Sequence, residues 1–411
     1  MKLSRKIIEK IIHEQDSDSF YILDSIKFEN NFDVLLNAFR QYYPNTNIAY
    51  SYKTNYIPRF CSIIHQKGGY TEVVSGMEMS LAKKIGVSSE NIYFNGPVKG
   101  KENIESLLLE EGHINVDSLE ELNQVFEISN NYSNKKFNVG LRCSFDIGDG
   151  VISRFGFDVN GEEFVKAVDI IDSTDSITLV GLHCHFATRS LSSWENRTKG
   201  MLKLIEKKFA DRKFEYISLG GGLYGDMPQS MREQFSVKIP TFKEYAEVSS
   251  KPFAKYFSNK KYQPLLIIEP GTALVANAMK YVTQVKSIKN NQGRTIATLS
   301  GSSYNINPKA NRQNFFLPIE VFSEGQSHQH FEDVWFAGYT CIESDYLYSG
   351  YNGEMAIGDY VVFDEVGSYS VVMKPPFINP NVPIVEIEEN EIYKLIKRKE
   401  TFDDIFHTYT F

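Results

Sequence analysis

Asn47-Ile48-Ala49-Tyr50-Ser51-Tyr52-Lys53 opens a series of short β-rich runs whose spacing decides the fold. It is followed by Tyr70 to Val74, Ile92 to Asn95, His113 to Asp117, Phe137 to Cys143, Ile177 to His185, Tyr216 to Leu219 and Leu265 to Glu269. The starts of these runs lie roughly 21 to 25 residues apart at first and roughly 40 to 50 apart later, which is the rhythm of βα units. The segments between them carry helix signals. Ser118-Leu119-Glu120-Glu121 reads as a capping box, in which Ser118 accepts the Glu121 N–H and Glu121 reaches back. Gly86 and Gly112 stand where C′ glycines would end helices over Ser80 to Ile85 and Ile104 to Glu111. Parallel strands that each feed a helix can bury both faces by closing on themselves, and the span 47–269 is close to the typical barrel length of about 250 residues. The expected fold class is α/β, a (β/α)8 TIM barrel, with an open doubly wound sheet as the competing arrangement.

After Gly271 long helices thin out and β-branched and aromatic runs dominate. Tyr281 to Lys289 and Arg294 to Leu299 flank the turn Asn290-Asn291-Gln292-Gly293 and read as a hairpin; Tyr360 to Phe363 and Tyr369 to Met373 read as another around Gly367. Phe20-Tyr21-Ile22-Leu23-Asp24 is a strand ahead of the first βα unit and is expected to pair with this region. The domains are therefore placed at 25–270, the barrel, and at 1–24 with 271–411, a second, mostly β domain.

Composition narrows the function classes. With 44 basic against 52 acidic side chains the net charge is −8, which disfavours a partner that tracks phosphate backbones, so no nucleic acid is expected. No apolar run approaches 18 residues and Met1-Lys2-Leu3-Ser4-Arg5-Lys6 leads into a charged stretch, so no membrane association and a cytoplasmic location are expected. Cys61, Cys143, Cys184 and Cys341 are too scattered for a disulfide framework or a CxxC metal site and are expected to be reduced thiols.

In a βα barrel the chemistry sits at the C-terminal strand ends. Those ends carry Lys53, Ser75 with Glu78, Asn95, Asp117, Arg142, His183 with His185, Gly220-Gly221-Gly222 and Glu269. A lysine desolvated in such a mouth has a lowered pKa and becomes nucleophilic toward a carbonyl; the plainer reading of Lys53 is a solvated strand end. The glycine run exposes backbone N–H groups where barrels bind phosphate, or is only a tight turn. Glu269 needs a positive partner, either the protonated ring nitrogen of a cofactor or a side chain such as Arg142. His183 and His185 are two apart on a strand and face one side, as a metal pair would, yet no third ligand stands beside them and no metal is expected; His185 is equally a flat ring for stacking on a flat ligand. Cys341 alone reads as a buried apolar cysteine.

Taken together, the chain resembles the fold-type III pyridoxal-phosphate decarboxylases, the ornithine, arginine and diaminopimelate decarboxylases with an alanine-racemase-like barrel. The matching stretches include Tyr52-Lys53-Thr54-Asn55, Val73-Val74-Ser75-Gly76-Met77-Glu78, Asn95-Gly96-Pro97-Val98-Lys99, Arg154-Phe155-Gly156-Phe157, His183-Cys184-His185, Gly220-Gly221-Gly222, Glu269-Pro270-Gly271, Cys341 with Asp345, and Gly367-Ser368-Tyr369. The resemblance implies that pyridoxal 5′-phosphate is joined to Lys53 as a Schiff base, that His185 stacks on its ring, and that Glu269 pairs with the ring nitrogen. Gly222, Gly271 and Tyr369 would contact the phosphate, Arg142 would lie beside the imine, and Gly221 and Thr272 would complete the cofactor site. Cys341, the family's proton donor, and Asp345 would reach the active site of the other subunit, so a head-to-tail homodimer with shared sites is implied.

Four departures from the family pattern bear on the substrate. Phe186-Ala187-Thr188-Arg189 replaces the usual Gly-Ser after the second histidine; Thr188 still offers a hydroxyl to the phosphate and Arg189 is an extra cation. Thr272 stands where an arginine is usual, Ser218 where an aspartate is usual, and Ile342 where an acidic residue pairs with a distal amine. An isoleucine cannot offset the desolvation of an ammonium group. Either Glu343, Asp345 or a residue near Tyr304 supplies the charge, or the substrate has no free terminal amine. The expected function is decarboxylation of an amino acid or amino-acid conjugate in specialised biosynthesis of the siderophore or antibiotic type. The alternatives are a diaminopimelate or ornithine/lysine decarboxylase, an amino-acid racemase on the same fold, a catalytically dead regulator, and a barrel metallohydrolase using His183, His185 and Asp345.

Overall fold

The computed structural model describes residues 3–309, 315–323, 328–388 and 392–411. The chain forms two compact units, one of Glu29–Gly225 with Ile239–Leu274 and one of Met1–Phe28, Asp226–Lys238 and Val275–Phe411. Residues Asp226–Lys238, which a boundary at 25–270 would place with the barrel, group with the second of these.

The first unit is a closed parallel barrel. Its strands are Thr46–Ser51, Tyr70–Val73, Ile92–Phe94, His113–Val116, Phe137–Ser144, Ile177–His183, Tyr216–Ser218 and Leu265–Ile268. Each pairs with its neighbours in sequence order, and Leu266, Ile267 and Ile268 close the ring against Thr46, Asn47 and Ile48. The expected strands are all present, and the open sheet is excluded. A further two-residue strand, Phe157–Asp158, extends the sheet beside Phe137–Ser144; it is too short for any periodicity to announce.

Aromatic rings plug the barrel. Tyr93 stacks on His113 with centroids 4.4 Å apart, and Tyr216 meets Tyr93 edge-on at 5.0 Å. Gly140 and Gly181 make room for the Tyr216 ring, since a Cβ at either position would overlap it. Tyr216 donates from its hydroxyl to Asn115 Oδ1 at 2.8 Å, which satisfies a phenol buried in a close-packed core.

The helix signals hold with two corrections. Ser118 caps the helix Leu119–Asn131 by accepting from Glu121 N–H, but the Glu121 carboxylate reaches past the cap to accept from Asp117 N–H at 2.8 Å. The buried ammonium of Lys99 binds the same oxygen at 2.7 Å, which draws the side chain further than a capping box does. Gly86 ends Gly76–Ile85 with φ 98°, as expected, whereas Lys101–Leu109 starts and stops earlier than the sequence suggests. There Glu111 takes the left-handed conformation at φ 64°, and Gly112 lies beyond it.

In the second unit the strand Ser19–Leu23 lies between Met279–Asn291, antiparallel, and Ile384–Ile387, parallel. Ile7, Ile8 and Ile11 of the helix Arg5–Gln15 pack onto Phe20, Ile22, Val282, Val362 and Val385; each fully buried isoleucine contributes about 1.5–3 kcal/mol. The hairpin of Met279–Asn291 with Arg294–Leu299 turns through Gln292 and Gly293, at φ 54° and 84°, as a type I′ turn requires. The other expected hairpin does not form. Tyr360–Phe363 pairs with Ile319–Phe322 and Met279–Asn291, and Ser370–Met373 is one helical turn. Positive φ at Glu365 and Tyr369, and a Gly367 pressed so close to the Val275 carbonyl that a Cβ would overlap it, turn the chain away from its expected partner.

Glu365 is buried there, and burial, helped by Asp364 and Asp226, pushes its carboxyl up to about 8. A raised carboxyl favours the folded state while protonated, fully below the unfolded value near 4.5, and that contribution is lost as the pH climbs through about 8. Glu365→Gln is therefore expected to gain about 4 kcal/mol on wild type between pH 5 and pH 8.5 in urea unfolding. Parallel pH profiles for the two proteins would contradict this.

Candidate active site

Every strand end named above lies on the barrel unit, and three of them, Lys53, Asn95 and His183, converge on two buried carboxylates, Glu72 and Glu269. The turn Tyr52–Thr54 follows the first strand and carries Lys53, whose side chain is 32% exposed. Lys53 Nζ donates to Ser51 Oγ at 3.0 Å and forms an ion pair with Glu72. Glu72 is fully buried on the second strand, takes a hydrogen bond from Ser51, and accepts from Asn95 Nδ2 at 3.1 Å. Sequence reading missed Glu72; the signal available was an acidic residue inside an otherwise buried four-residue strand. Nearby, burial pushes the Glu78 carboxyl up to about 7, although it accepts from Val74 N–H at 2.7 Å.

Glu269 ends the last strand and is 2% exposed. Its Oε1 accepts from Asn95 Nδ2 at 3.1 Å and Ser218 Oγ at 2.8 Å, and its Oε2 lies 3.1 Å from His183 Nε2. Burial opposes ionisation, but His183 outweighs it and holds Glu269 below the usual carboxylate range. Arg142 is not its partner. That guanidinium binds Asp117 at 3.1 Å and lies 4.5 Å from the Phe155 centroid, with Arg154 at 4.0 Å from the same ring.

The strand Ile177–His183 stops before His185, so the two histidines are not an alternating pair on one face. His183 serves Glu269, while His185 Nδ1 accepts the Gly221 N–H at 3.0 Å. Burial, with Lys53 next, pushes the His185 imidazolium far down, so the ring is neutral and presents a flat face. Among the described residues no group of three His, Cys, Asp or Glu is placed to hold a metal.

Gly220 and Gly222 have φ 71° and 81°, and side chains at Gly220 or Gly221 would overlap the carbonyls of Cys184 or Glu269. Gly271 packs on Thr54 in the same side-chain-free manner. The buried Arg197 braces this loop from behind, giving Nη1 to the Leu219 and Gly221 carbonyls at 3.2 and 2.7 Å, and Nη2 to those of Phe186 and Thr188 at 3.1 and 3.0 Å. Thr188 donates to Asp149 Oδ2 at 2.6 Å. Arg197 was invisible to sequence reading because it sits mid-helix, in Leu191–Lys208, far from any strand end.

The other expected residues lie on the second unit. Cys341 and Glu343 are exposed, Ile342 and Tyr369 half-buried, and Tyr304 is 42% exposed. Asp345 is buried and heavily engaged: Oδ1 accepts from Ser302 Oγ at 3.1 Å, Ser303 N–H at 2.8 Å and Ser303 Oγ at 2.7 Å, and Oδ2 from Thr340 Oγ1 at 2.6 Å.

A family profile described as pyridoxal-dependent decarboxylase, pyridoxal binding domain, matches residues 30–276. The chain belongs to this decarboxylase family. It is 26% identical over 422 residues to the diaminopimelate decarboxylase of Methanocaldococcus jannaschii, covering 95% of this chain and 91% of that one. It is 27% identical over 418 residues to the L-glutamyl-[BtrI acyl-carrier protein] decarboxylase of Niallia circulans, covering 95% and 93%. The crystal structure of the M. jannaschii diaminopimelate decarboxylase in complex with L-lysine superposes with a TM-score of 0.83 at 25% identity, over 97% of this chain and 93% of that one. The protein is thus a pyridoxal-phosphate-dependent amino-acid decarboxylase, a carboxy-lyase rather than a racemase or metallohydrolase. No helix among the described residues is long and apolar enough to cross a membrane.

The residues present fit the decarboxylase cofactor. An aldehyde needs an amine, and Lys53 Nζ is partly open to solvent. A protonated ring nitrogen needs a desolvated carboxylate with spare acceptor capacity; among the described residues Oε2 of Glu269 has one partner where a carboxylate oxygen accepts two. A phosphate needs approach without Cβ atoms, which Gly220 to Gly222 and Gly271 allow.

Proposed function

We propose that this decarboxylase acts on an amino acid, or a conjugate of one, whose distal end carries no free ammonium group, in a specialised biosynthetic reaction. The observation that carries the reading is the environment of residues 342–345. Ile342 offers no charge, and the Asp345 carboxylate is taken up by Ser302, Ser303 and Thr340. Stripping water from an ammonium group without a replacement acceptor costs far more than such a site returns. The relative from Niallia circulans, named for a glutamyl group on a carrier protein, supports an acyl-type distal end.

Bound pyridoxal 5′-phosphate supplies the sink for the electron pair left when carbon dioxide departs. Lys53 would anchor it through Nζ, the amine that Glu72 orients. Glu269, fixed by His183, Asn95 and Ser218, would hold a proton on the ring nitrogen. His185 would offer its neutral ring to the cofactor's flat face, and Arg142, steadied by Asp117, would stand beside the reacting end. Cys341 would supply the proton that the substrate carbon takes up, in the site of a second copy within a head-to-tail homodimer, with Asp345 holding the Ser302–Ser303 and Thr340 backbone near it in place.

A second reading, diaminopimelate or ornithine/lysine decarboxylation, is favoured by the exposed carboxylate of Glu343 and by the diaminopimelate decarboxylase relatives. Carbon dioxide release over a panel of L-, D- and acylated amino acids separates the two. Acylated or conjugated substrates are expected to exceed ornithine, lysine and meso-diaminopimelate by about 10² in kcat/KM, the scale of an unpaired buried charge. Efficient turnover of any of those three diamino acids would refute the reading.

A further inference from the structure

We infer that Arg189 is the cation of the cofactor's phosphate site, standing in for the positive charge that position 272 does not provide. The half-buried side chain comes from the loop after the sixth barrel strand and places Nη2 3.5 Å from Thr272 Oγ1, next to Gly271. Its guanidinium carbon lies 5.5 Å from the Tyr224 centroid, and Tyr245 donates from its hydroxyl to the Arg189 carbonyl, so both ends of the residue are held. Tyr245 in turn accepts from Tyr224 N–H at 3.3 Å, which joins the two anchors.

Several other donors around this loop are already committed, and the backbone N–H groups that remain carry no formal charge. Gly220 N–H is given to Ser218 Oγ at 3.1 Å and Gly221 N–H to His185 Nδ1 at 3.0 Å. Thr188 gives its hydroxyl to Asp149, which also adds a negative charge. Arg197 is buried and holds backbone carbonyls. A phosphate dianion brought here needs a positive charge with free N–H groups. Among the described residues no Asp or Glu pairs with Arg189, and its Nη2 lies beside Thr272 Oγ1 at 3.5 Å. A cation left without a carboxylate in a chain of net charge −8 is placed for an anion.

The inference does not depend on which amino acid is decarboxylated, and its test reads cofactor binding. Full-length wild type, Arg189→Gln and Arg189→Gln with Thr272→Arg are stripped of cofactor and titrated with pyridoxal 5′-phosphate and with pyridoxal, which lacks the phosphate. Arg189→Gln is expected to weaken pyridoxal 5′-phosphate binding by about 10- to 100-fold, the worth of hydrogen bonds to a charged group. Pyridoxal affinity is expected to stay at the wild-type value, which shows the site is folded, and Thr272→Arg is expected to recover most of the loss. Equal weakening of both ligands, or no recovery by the second arginine, would overturn the inference. So would unchanged cofactor affinity with a raised substrate KM, since the guanidinium would then serve a substrate carboxylate.

Discussion

Lys53→Ala is expected to abolish turnover, with a loss of about 10⁴-fold or more in kcat, and to leave the cofactor-supplemented protein without the yellow absorbance of a lysine-bound pyridoxal. The effect is large because the amine does two things. It is the nucleophile for the cofactor aldehyde, and it is the cation paired with Glu72, a carboxylate with no exposure of its own. Removing one partner of such a pair leaves an uncompensated charge, so part of the damage in the alanine variant is structural. Lys53→Arg separates the two roles. It keeps a positive charge against Glu72 yet offers no amine of ordinary basicity, so it is expected to restore thermal stability without restoring turnover or colour. Decarboxylation at wild-type rate in either variant would contradict the assignment.

Glu269→Gln is expected to lower kcat by about 10²- to 10³-fold, the range for removing one preorganised charge from a desolvated site, while the cofactor remains bound. A glutamine has the same shape and can still meet His183, Asn95 and Ser218, whose hydrogen bonds hold the carboxylate in place. What it lacks is the charge that keeps a proton on the ring nitrogen. Because burial is outweighed by His183, the native carboxylate stays ionised well below neutral pH, so no loss of activity between pH 5 and 8 is expected from Glu269 itself. Near-normal kcat in Glu269→Gln would move the proton-holding role elsewhere.

These sites differ in how far a sequence exposes them. The barrel strands were legible because short buried runs recur at βα spacing and because their ends carry the polar residues. Lys53, Glu269 and the glycines from 220 to 222 stand directly after such runs, where chemistry concentrates in this fold. Glu72 was hidden because it lies within a strand, so its partnership with Lys53 depends on how neighbouring strands register, Ser51 against Glu72. The role of His183 depended on where its strand stops, because two-residue alternation put it on one face with His185 and gave no sign of its contact with Glu269. Arg189 and Arg197 have side chains long enough that their targets, Thr272 and the glycine-loop carbonyls, cannot be inferred from their own positions. In the β-rich unit, the left-handed backbone at Tyr369 converted an apparent strand into a helical turn, since nothing in a non-glycine residue advertises a positive φ. The departure at Ile342 was visible at once, but the engagement of Asp345 by Ser302, Ser303 and Thr340 required the fold to bring distant segments together.

Borohydride reduction of the cofactor-loaded wild-type protein, followed by peptide mass mapping, tests the central claim most directly. A pyridoxyl phosphate adduct confined to the peptide bearing Lys53 is the predicted result. Bound cofactor with no adduct, or an adduct on another lysine such as Lys99, would contradict it.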